Sequence, residues 1–496
     1  MKDAQYSRPS TLQRMARIGC VVLSAILSWE TRAATLAHVQ QLVDAGQFNS
    51  AEAQITKALA KPSLAEEDRA ALAFERERMR RIRLDFSLTA ADAQARVKRQ
   101  IPDLAPEEFA SWDEAGLLEH MVIDGHTLYF NRAPSNLFRL NESAVKLRRS
   151  GTPPWTDGPN ESANAHHREV RDQARATGKH SVAPRRVRVT YSLTVNPDAA
   201  PDGETLRAWL PFPRALPGQQ ENVRLVQSTP NEHVTAPESA LQRTVYLERR
   251  TAAGKPTMFS ITYELTVFGQ YYAIDAAQVQ PAPRTPELAP FLAERAPHIV
   301  FTPAIVEFSR QIVGKETNPY RIAQKLFAAV DRIPWAGARE YSTISNISEY
   351  TLQARHGDCG QQTLLLMTLL RLNGIPTRWQ SGWVYSDAQI GDEQYDNMHD
   401  WAQLYLSPYG WMPMDVTFGR LASGDRDPQI DAFYLGGLDA YRIAFNDDFS
   451  QPFVPAKQFF RSDTVDSQRG EVEWRGGNLY FDQWGYEFEA HVLGAP

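Results

Sequence analysis

The spacing of hydrophobic residues predicts a helical first part of the chain. From Leu36 to about Leu84, apolar residues recur every three or four positions, as on one face of an α-helix. Gly46 separates two such stripes, which consist of Leu36, Val39, Leu42 and Val43, and then Ala51, Ile55, Ala58 and Leu59. We predict helices on both sides of Gly46, more helices up to about Arg149, and a small hairpin near residues 121–130.

From Arg185 the apolar spacing changes to two, which is typical of β-strands that are buried on one side. The alternating positions are Val187, Val189, Tyr191, Leu193 and Val195. Similar short segments follow at 206–210, 223–226, 244–247 and 258–268, so we predict an antiparallel β-sandwich. The Gly- and Pro-containing stretch before it, which includes His166 and His167, is interpreted as a solvated linker.

The last third of the chain mixes both patterns. An apolar helix is predicted over residues 359–372, and strands over 377–385, 397–406 and 411–417. Aromatic residues alternate in the tail, which predicts further strands with a packing role. The predicted segments are a signal peptide (1–33), a helical domain (35–149), a linker (150–183), a β-sandwich (184–275), a catalytic core (285–454) and an aromatic-rich extension (455–496).

Composition excludes some classes of function. The 496 residues are 43% hydrophobic and carry 53 Lys and Arg against 59 Asp and Glu, a net charge of -6. These values are typical of a folded globular chain and do not provide the positive field that nucleic-acid binding requires. We therefore expect a protein of about three domains that does not bind nucleic acid.

The first residues have the order of a secretory signal. Four basic residues precede an apolar run from Ile18 to Trp29, and small residues follow at Ala33 and Ala34. The run is shorter than the roughly 20 residues that span a membrane. We expect a cleaved signal, a periplasmic or secreted protein and no membrane span after cleavage; an uncleaved anchor or a chance apolar helix are the alternatives.

Only two cysteines are present, Cys20 in the predicted signal and Cys359. Cys359 follows Gly357-Asp358 and begins the predicted apolar helix. The positive end of a helix dipole favours a thiolate, so we expect this thiol to have a lowered pKa and to be reactive. The alternative is an inert buried cysteine.

Two further residues complete a possible nucleophilic site. His399 begins one predicted strand and Asp415 lies near the end of the next, so a hairpin can place them side by side. Nucleophilic catalysis by a thiol requires a base and a group that orients the base. We therefore predict that Cys359, His399 and Asp415 act together.

Three motifs make the segment of roughly 300–420 similar to the transglutaminase-like superfamily: Gly-Asp-Cys-Gly at the helix start, His-x-Trp at His399–Trp401 and Asp-Val-Thr-Phe-Gly from Asp415. The resemblance implies an α+β, papain-like core. It implies that Cys359 is the nucleophile, that His399 is the general base and acid, and that Asp415 fixes the imidazole tautomer.

The resemblance also concerns the surroundings of this triad. An oxyanion would be stabilised by the Cys359 N–H and a second donor. Weak candidates for that donor or for supporting positions are Trp335, Gln361, Gln362 and Trp401. Asp400 departs from the small apolar residue that many relatives carry there, and strand alternation predicts that its side chain points away.

These observations favour an exported thiol enzyme that hydrolyses amide bonds in peptides or proteins through a Cys359 thioester. One alternative is an acyl transferase that crosslinks proteins. Another is a non-catalytic binding or scaffold protein that retains the fold. We expect a peptide or protein substrate, and neither a cofactor nor a metal.

Overall fold

The computed structural model describes residues 35–149, 162–385, 398–421 and 427–494. The described residues divide into two compact units, one within Met1–Val97 and Ala105–Ala133, the other within Lys98–Leu104 and Pro134–Pro496. The predicted signal peptide lies outside the described residues. Within the described residues, no helix is both long enough and apolar enough to cross a membrane.

The first unit is helical, as the spacing of its apolar residues predicts. Its elements are α1 (35–44), α2 (Phe48–Leu59), α3 (Glu66–Asp85), α4 (Ala90–Gln100), α5 (Pro106–Glu114), β1 (His120–Ile123) and β2 (His126–Tyr129). Gly46 has a positive φ of 71°, and a Cβ there would lie 2.0 Å from the carbonyl oxygen of Val122. Glycine is therefore required where α1 ends against the predicted hairpin.

The second unit begins with three helices: α6 (Ala133–Leu140), α7 (Glu142–Leu147) and α8 (Ala165–Thr177). The predicted linker is wrong from α8 onward. Asn164 caps this helix by accepting the backbone N–H of His167 at 3.1 Å, and Val170 and Ala174 form its buried face. His166 and His167 are buried, with 8% and 1% of their surface exposed, because they lie on the same face.

Two antiparallel sheets form the predicted sandwich. The first has the order β12-β8-β3-β16, with β5 also paired to β8, and the second has the order β15-β14-β4-β7-β6. The strands are β3 (Ser181–Val195), β4 (Thr205–Pro211), β5 (Gln220–Thr229), β6 (His233–Thr235), β7 (Thr244–Arg250), β8 (Thr257–Tyr271), β12 (Gly437–Leu438), β14 (Glu471–Trp474), β15 (Gly477–Leu479) and β16 (Trp484–Gly494). The five alternating residues predicted from Val187 to Val195 are all buried in the core that the two sheets share.

The aromatic tail completes these sheets, since β14 pairs with β4 and β16 pairs with β3. Phe488 of β16 stacks on Trp383, with ring centres 4.4 Å apart and planes 7° apart. The tail therefore forms strands that pack against the rest of the second unit, as its aromatic alternation predicts.

The third sheet of this unit carries the candidate site, in the order β11-β10-β9-β13 with all pairs antiparallel. Its strands are β9 (Thr377–Val384), β10 (Met398–Leu406), β11 (Gly410–Met414) and β13 (Arg442–Asn446). The accompanying helices are α9 (Pro303–Val313), α10 (Pro319–Asp331), α11 (Ile347–Ala354), α12 (Cys359–Leu372) and α13 (Pro428–Asp431). Nearly all of α12 is buried against β9, β10 and the neighbouring helices, so its first residue is held firmly at the sheet. The fold is α+β, as expected.

Candidate active site

Cys359 is the first residue of α12, where the sequence predicts it. The Asp358 carboxylate accepts the backbone N–H of Gln361 at 3.0 Å, and the Gln361 side chain accepts the N–H of Asp358 at 3.2 Å. This reciprocal capping box fixes the start of the helix and therefore the position of the half-buried thiol.

His399 and Asp415 are brought together by the β10–β11 hairpin. His399 Nε2 lies 2.7 Å from Asp415 Oδ2, and both side chains are buried. The other Asp415 oxygen accepts the backbone N–H groups of Thr417 and Phe418, each at 3.1 Å. The carboxylate is therefore fixed from two sides, and it holds the imidazole in one orientation with Nδ1 directed elsewhere.

A buried arginine stands behind this pair. Arg442 on β13 donates to Asp415 Oδ2 at 2.7 Å and to Asp439 Oδ2 through Nε at 3.1 Å. Burial alone would raise the pKa of Asp415, but His399 and Arg442 outweigh it and hold that pKa below its ordinary value. Asp415 is therefore a carboxylate at neutral pH and can orient the imidazole of His399.

The polar chain continues from Arg442 to α8. The Tyr434 hydroxyl donates to Asp439 Oδ2 at 2.9 Å and lies 2.9 Å from His167 Nε2. Burial lowers the pKa of His167 to about 4, so this histidine is neutral and can accept or donate a hydrogen bond without carrying a charge. Residues predicted to lie in a solvated linker thus support the site from behind.

Aromatic rings enclose the imidazole. His399 stacks on Phe418 with ring centres 4.4 Å apart, and Trp401 lies on another side at 6.1 Å. The guanidinium carbon of Arg442 lies 4.9 Å from the Phe418 ring centre and 5.3 Å from that of Trp401. These rings exclude water from the dyad, which strengthens its electrostatic interactions.

The expectation that Asp400 points away from the reacting groups is wrong. Cys359 Sγ donates a hydrogen bond to Asp400 Oδ2 at 3.2 Å. Alternation along β10 does send His399 and Asp400 to opposite faces, but the face of Asp400 is the one that α12 covers. Ala402 and Leu404, which share that face, pack in the same core as the leucines of α12.

The expected lowering of the thiol pKa is also wrong. Burial raises the pKa of the Cys359 thiol well above its ordinary value, and the carboxylates of Asp400 and Asp358 raise it further. The favourable end of the helix dipole is already occupied, because Asp358 caps it. Burial and these two acids therefore favour a neutral thiol over a preformed thiolate.

The weaker candidates from the sequence have structural contacts. The Gln362 side chain donates a hydrogen bond to Ile333 O at 2.8 Å and accepts one from the Thr417 hydroxyl at 2.7 Å. The Trp401 indole donates to the Gln380 side chain at 2.9 Å. Gln361 is used in the capping box, although its buried Nε2 has no acceptor among the described residues. Trp335 pairs with Gly357 through the main chain.

The loop that contains Trp335 is held by α6. Asn136 forms two hydrogen bonds with the backbone of Gly337, one to the carbonyl and one from the N–H, each 2.9 Å long. The guanidinium of Arg139 lies over the Trp335 ring, 4.5 Å from its centre. Since Ala336 donates to the Gly357 carbonyl at 3.1 Å, these contacts help to position the residues just before Cys359.

Sequence reasoning missed Arg442, Tyr341, Asp466 and Gln468. The Tyr341 hydroxyl lies 2.8 Å from Asp358 Oδ1 and 3.1 Å from Asp400 Oδ2, and Gln468 Nε2 donates to Asp400 Oδ1 at 3.1 Å. Arg442 carried a usable signal, because an arginine beside the apolar run Ile443–Phe445 needs a buried partner. The other three lie in irregular segments without such a signal.

Within the part of the chain that the structure describes, no group of three or more His, Cys, Asp or Glu side chains is placed to hold a metal ion. The arrangement instead combines a thiol, an imidazole with a fixed carboxylate, and nearby acids. Such groups can transfer protons and support nucleophilic attack at a carbonyl carbon.

Comparison with known families agrees with the motifs. Residues 306–416 match the family model described as the transglutaminase-like superfamily. The match contains α12, β9, β10 and β11, and with them Cys359, His399 and Asp415. The second unit therefore has a transglutaminase-like core, and the resemblance seen in the sequence is confirmed.

Individual relatives are more distant. An uncharacterized protein from Haemophilus influenzae is 28% identical over 181 residues, which are 30% of this chain and 48% of that protein. The uncharacterized protein YebA from Bacillus subtilis is 27% identical over 81 residues, 15% of this chain and 11% of YebA. The matches thus span about half of the first relative and a small part of the second.

Two solved structures are similar. A candidate cysteine protease from Cytophaga hutchinsonii has a TM-score of 0.42 and 17% identity, and the match covers 64% of this chain and 93% of that one. The periplasmic domain of TgpA from Pseudomonas aeruginosa, crystallised with ethylmercury, has a TM-score of 0.24 and 15% identity, with 55% and 99% covered.

Proposed function

We propose that this protein is an exported thiol enzyme that hydrolyses amide bonds of peptides or proteins through a Cys359 thioester. The observation that carries the proposal is the buried 2.7 Å hydrogen bond between His399 and Asp415, on the strand beside the helix that begins at Cys359. Acyl transfer by cysteine requires a thiol and a base that is oriented in this way. The basic, apolar and small residues of positions 2–34 support export.

In the proposed reaction, His399 removes the proton of the thiol and sulfur attacks the amide carbon. The carbonyl oxygen becomes an oxyanion, which the backbone N–H of Cys359 stabilises at the start of α12. The C–N bond then breaks, and the imidazolium gives its proton to the leaving amine. In the second half of the reaction, His399 removes a proton from water and the water oxygen attacks the thioester carbon. The C–S bond then breaks, the imidazolium returns its proton to sulfur, and the acid is released.

Asp415 and Arg442 have supporting roles in this scheme. Asp415 binds Nε2 and therefore keeps the other imidazole nitrogen available for proton transfer. Because Arg442 and His399 keep the pKa of Asp415 low, the carboxylate remains charged when the imidazolium forms. The ion pair between the Asp415 carboxylate and the His399 imidazolium stabilises the charged intermediate that forms during acylation.

The test compares Cys359→Ala, His399→Ala and Asp415→Asn with the wild type on a mixed peptide library. New amino termini and released ammonia report hydrolysis of backbone and side-chain amides, and incorporation of a fluorescent cadaverine reports transfer to an amine. We expect hydrolysis to disappear in the first variant and to fall by about 10⁴-fold in Asp415→Asn, which favours the wrong tautomer.

His491→Ala is the matched control, because His491 is an exposed histidine on β16 that contacts Glu489. It should keep wild-type activity. Amine incorporation without hydrolysis would instead establish the crosslinking alternative. Undiminished hydrolysis in Cys359→Ala would refute a thiol enzyme. Neither hydrolysis nor amine incorporation in the wild type would favour a scaffold.

A further inference from the structure

Asp400 links the nucleophile to a second buried acid. Its Oδ2 accepts the Cys359 thiol at 3.2 Å and lies 3.1 Å from the Tyr341 hydroxyl, while Oδ1 accepts Gln468 Nε2 at 3.1 Å. A second buried acid, Asp466, interacts electrostatically with its carboxyl group. Asp400 and Asp466 are each 1% exposed, so protein groups rather than bulk water determine their protonation.

Two carboxylates in the same buried site repel each other, which favours protonation of one of them. Asp466 Oδ2 is buried, and no hydrogen-bond donor reaches it among the described residues. Burial and the neighbouring Asp400 raise the pKa of Asp466 well above its ordinary value, whereas burial and Asp358 raise the pKa of Asp400 to about 7. Asp466 therefore holds its proton more strongly, and Asp400 is the acid of the pair that ionises first.

The charged and titratable groups that face Asp400 come from several segments. Asp358 and Cys359 are at the start of α12, Tyr341 is in the loop before α11, Asp466 is in the segment before β14, and His399 is its neighbour on β10. Arg461, in the same segment, lowers the pKa of Asp466, but burial and Asp400 outweigh this effect. Among the described residues, no cationic side chain contacts Asp400 directly. Hydrogen bonds alone therefore stabilise its carboxylate.

The chain makes room for this arrangement at Gly360. A Cβ at this position would lie 2.1 Å from the Tyr341 hydroxyl and 2.7 Å from Asp400 Oδ2. Only a glycine lets both oxygens approach the first turn of α12. The contact between Asp400 and the thiol is thus built into the helix start by two separate features, a buried acid and a missing side chain.

We propose that Asp400 is a further catalytic residue of this site, which holds the Cys359 thiol in its protonated form in the resting enzyme. The inference rests on the proposed function. During the reaction the S–H bond of Cys359 breaks, the proton passes to His399 and the electron pair stays on sulfur as the thiolate. The hydrogen bond from the thiol to Asp400 is lost in this step. Asp400 therefore restricts the thiolate to the moment when the imidazole receives the proton.

Asp400 has a second effect on the reaction. A carboxylate beside sulfur decreases the thiolate fraction, but it increases the nucleophilicity of each thiolate, since nucleophilicity rises with pKa with a Brønsted slope of about 0.4–0.5. For every tenfold increase in thiol acidity, a variant should react about threefold faster below the pKa and about threefold slower on the plateau above it. A change in exposure alone would alter both rates in the same direction.

The experiment measures the reaction of Cys359 with 2,2′-dithiodipyridine from pH 5 to pH 10, in a Cys20→Ser background. We expect Asp400→Asn to increase thiol acidity by about tenfold or more, the usual effect of a charge within 4–6 Å, and to produce the crossed change in rates. Asp400→Glu, which keeps a carboxylate, should retain the wild-type profile. Far-UV circular dichroism establishes that each variant is folded.

An unchanged or decreased acidity in folded Asp400→Asn would overturn the inference, as would a parallel rise in rate at every pH. If the asparagine variant does not fold, Asp400→Ala gives the same test with the type of residue that the resemblance implies here. If neither folds, a wild-type thiol pKa at or below about 8.5 overturns the inference and a higher one supports it. The proposed function fails separately, if peptide hydrolysis survives in His399→Ala.

Discussion

Replacement of Arg442 by methionine tests the polar network behind the site. Arg442 is fully buried between two acids and three aromatic rings, so the variant removes a cation and leaves both Asp415 and Asp439 without it. Methionine has a similar length and preserves most of the packing with the rings. The main effect is therefore electrostatic.

The magnitude follows from burial. Removing one partner of a buried ion pair destabilises a protein by about 3–5 kcal/mol, because the remaining charge is left unpaired. Here one arginine bridges two carboxylates, with contacts of 2.7 Å to Asp415 and 3.1 Å to Asp439. We expect Arg442→Met to lie within that range at pH 7, since Asp415 keeps His399 and Asp439 keeps Tyr434.

The pH dependence provides a second criterion. In the wild type, Arg442 helps hold the pKa values of Asp415 and Asp439 below normal, although burial opposes this. Carboxylates of this kind stabilise the fold above the unfolded-state pKa, and the contribution is lost as pH falls through the folded-state pKa. In the variant these pKa values rise, so protonation neutralises the unpaired carboxylates as the pH falls. The difference in unfolding free energy between the wild type and Arg442→Met therefore becomes smaller from pH 7 towards pH 4.

The assay is urea denaturation at pH 7 and pH 4.5, followed by tryptophan fluorescence and analysed for the second unit. Arg310→Met is the matched control, because Arg310 pairs with Glu307 on an exposed helix surface and should change stability little. Arg442→Met with Asp439→Asn should be more stable than Arg442→Met alone. A loss below about 1 kcal/mol at pH 7, or a gap that does not change with pH, would refute the reasoning.

Two further substitutions test the packing of the site. Gly360→Ala should destabilise the protein by about 1–3 kcal/mol in thermal denaturation, because its methyl group meets the Tyr341 hydroxyl, and adding Tyr341→Phe should recover part of the loss if that clash is the cause. Tyr434→Phe should cost about 1–3 kcal/mol in urea denaturation, because it removes the hydroxyl between Asp439 and His167. Tyr246→Phe, at a half-buried strand position, is the control for the latter and should change stability less.

Local sequence patterns predicted the elements well. Alternation from Val187 to Val195 identified a strand whose five apolar residues are all buried, and the Gly-Asp-Cys-Gly motif placed Cys359 at the first residue of α12. His399 and Asp415 could be paired because a short hairpin joins their strands. In each case the decisive contacts lie close in sequence or follow from one period.

What the sequence did not reveal depends on distant contacts. Asp400 was placed on the correct face of its strand, but which face α12 covers is a property of the assembled sheet. Arg442 is 27 residues from Asp415 in the chain and meets it only through the order of β13 and β9. The thiol pKa was misjudged for the same reason, since the helix start could be recognised but the buried acids around it could not.

The contacts of α6 bear on how short a fragment can be and still keep the candidate site intact. Sequence patterns suggest cutting the chain at residue 150 or 184, immediately ahead of the β-sandwich. A fragment that starts there would lack Asn136 and Arg139, which hold the backbone of Gly337 and the ring of Trp335. The main chain leading to Cys359 would then lose contacts that hold it in place. Both residues that make these contacts lie outside the family-matched segment 306–416. The smallest fragment that keeps these contacts around the candidate site therefore begins before Pro134.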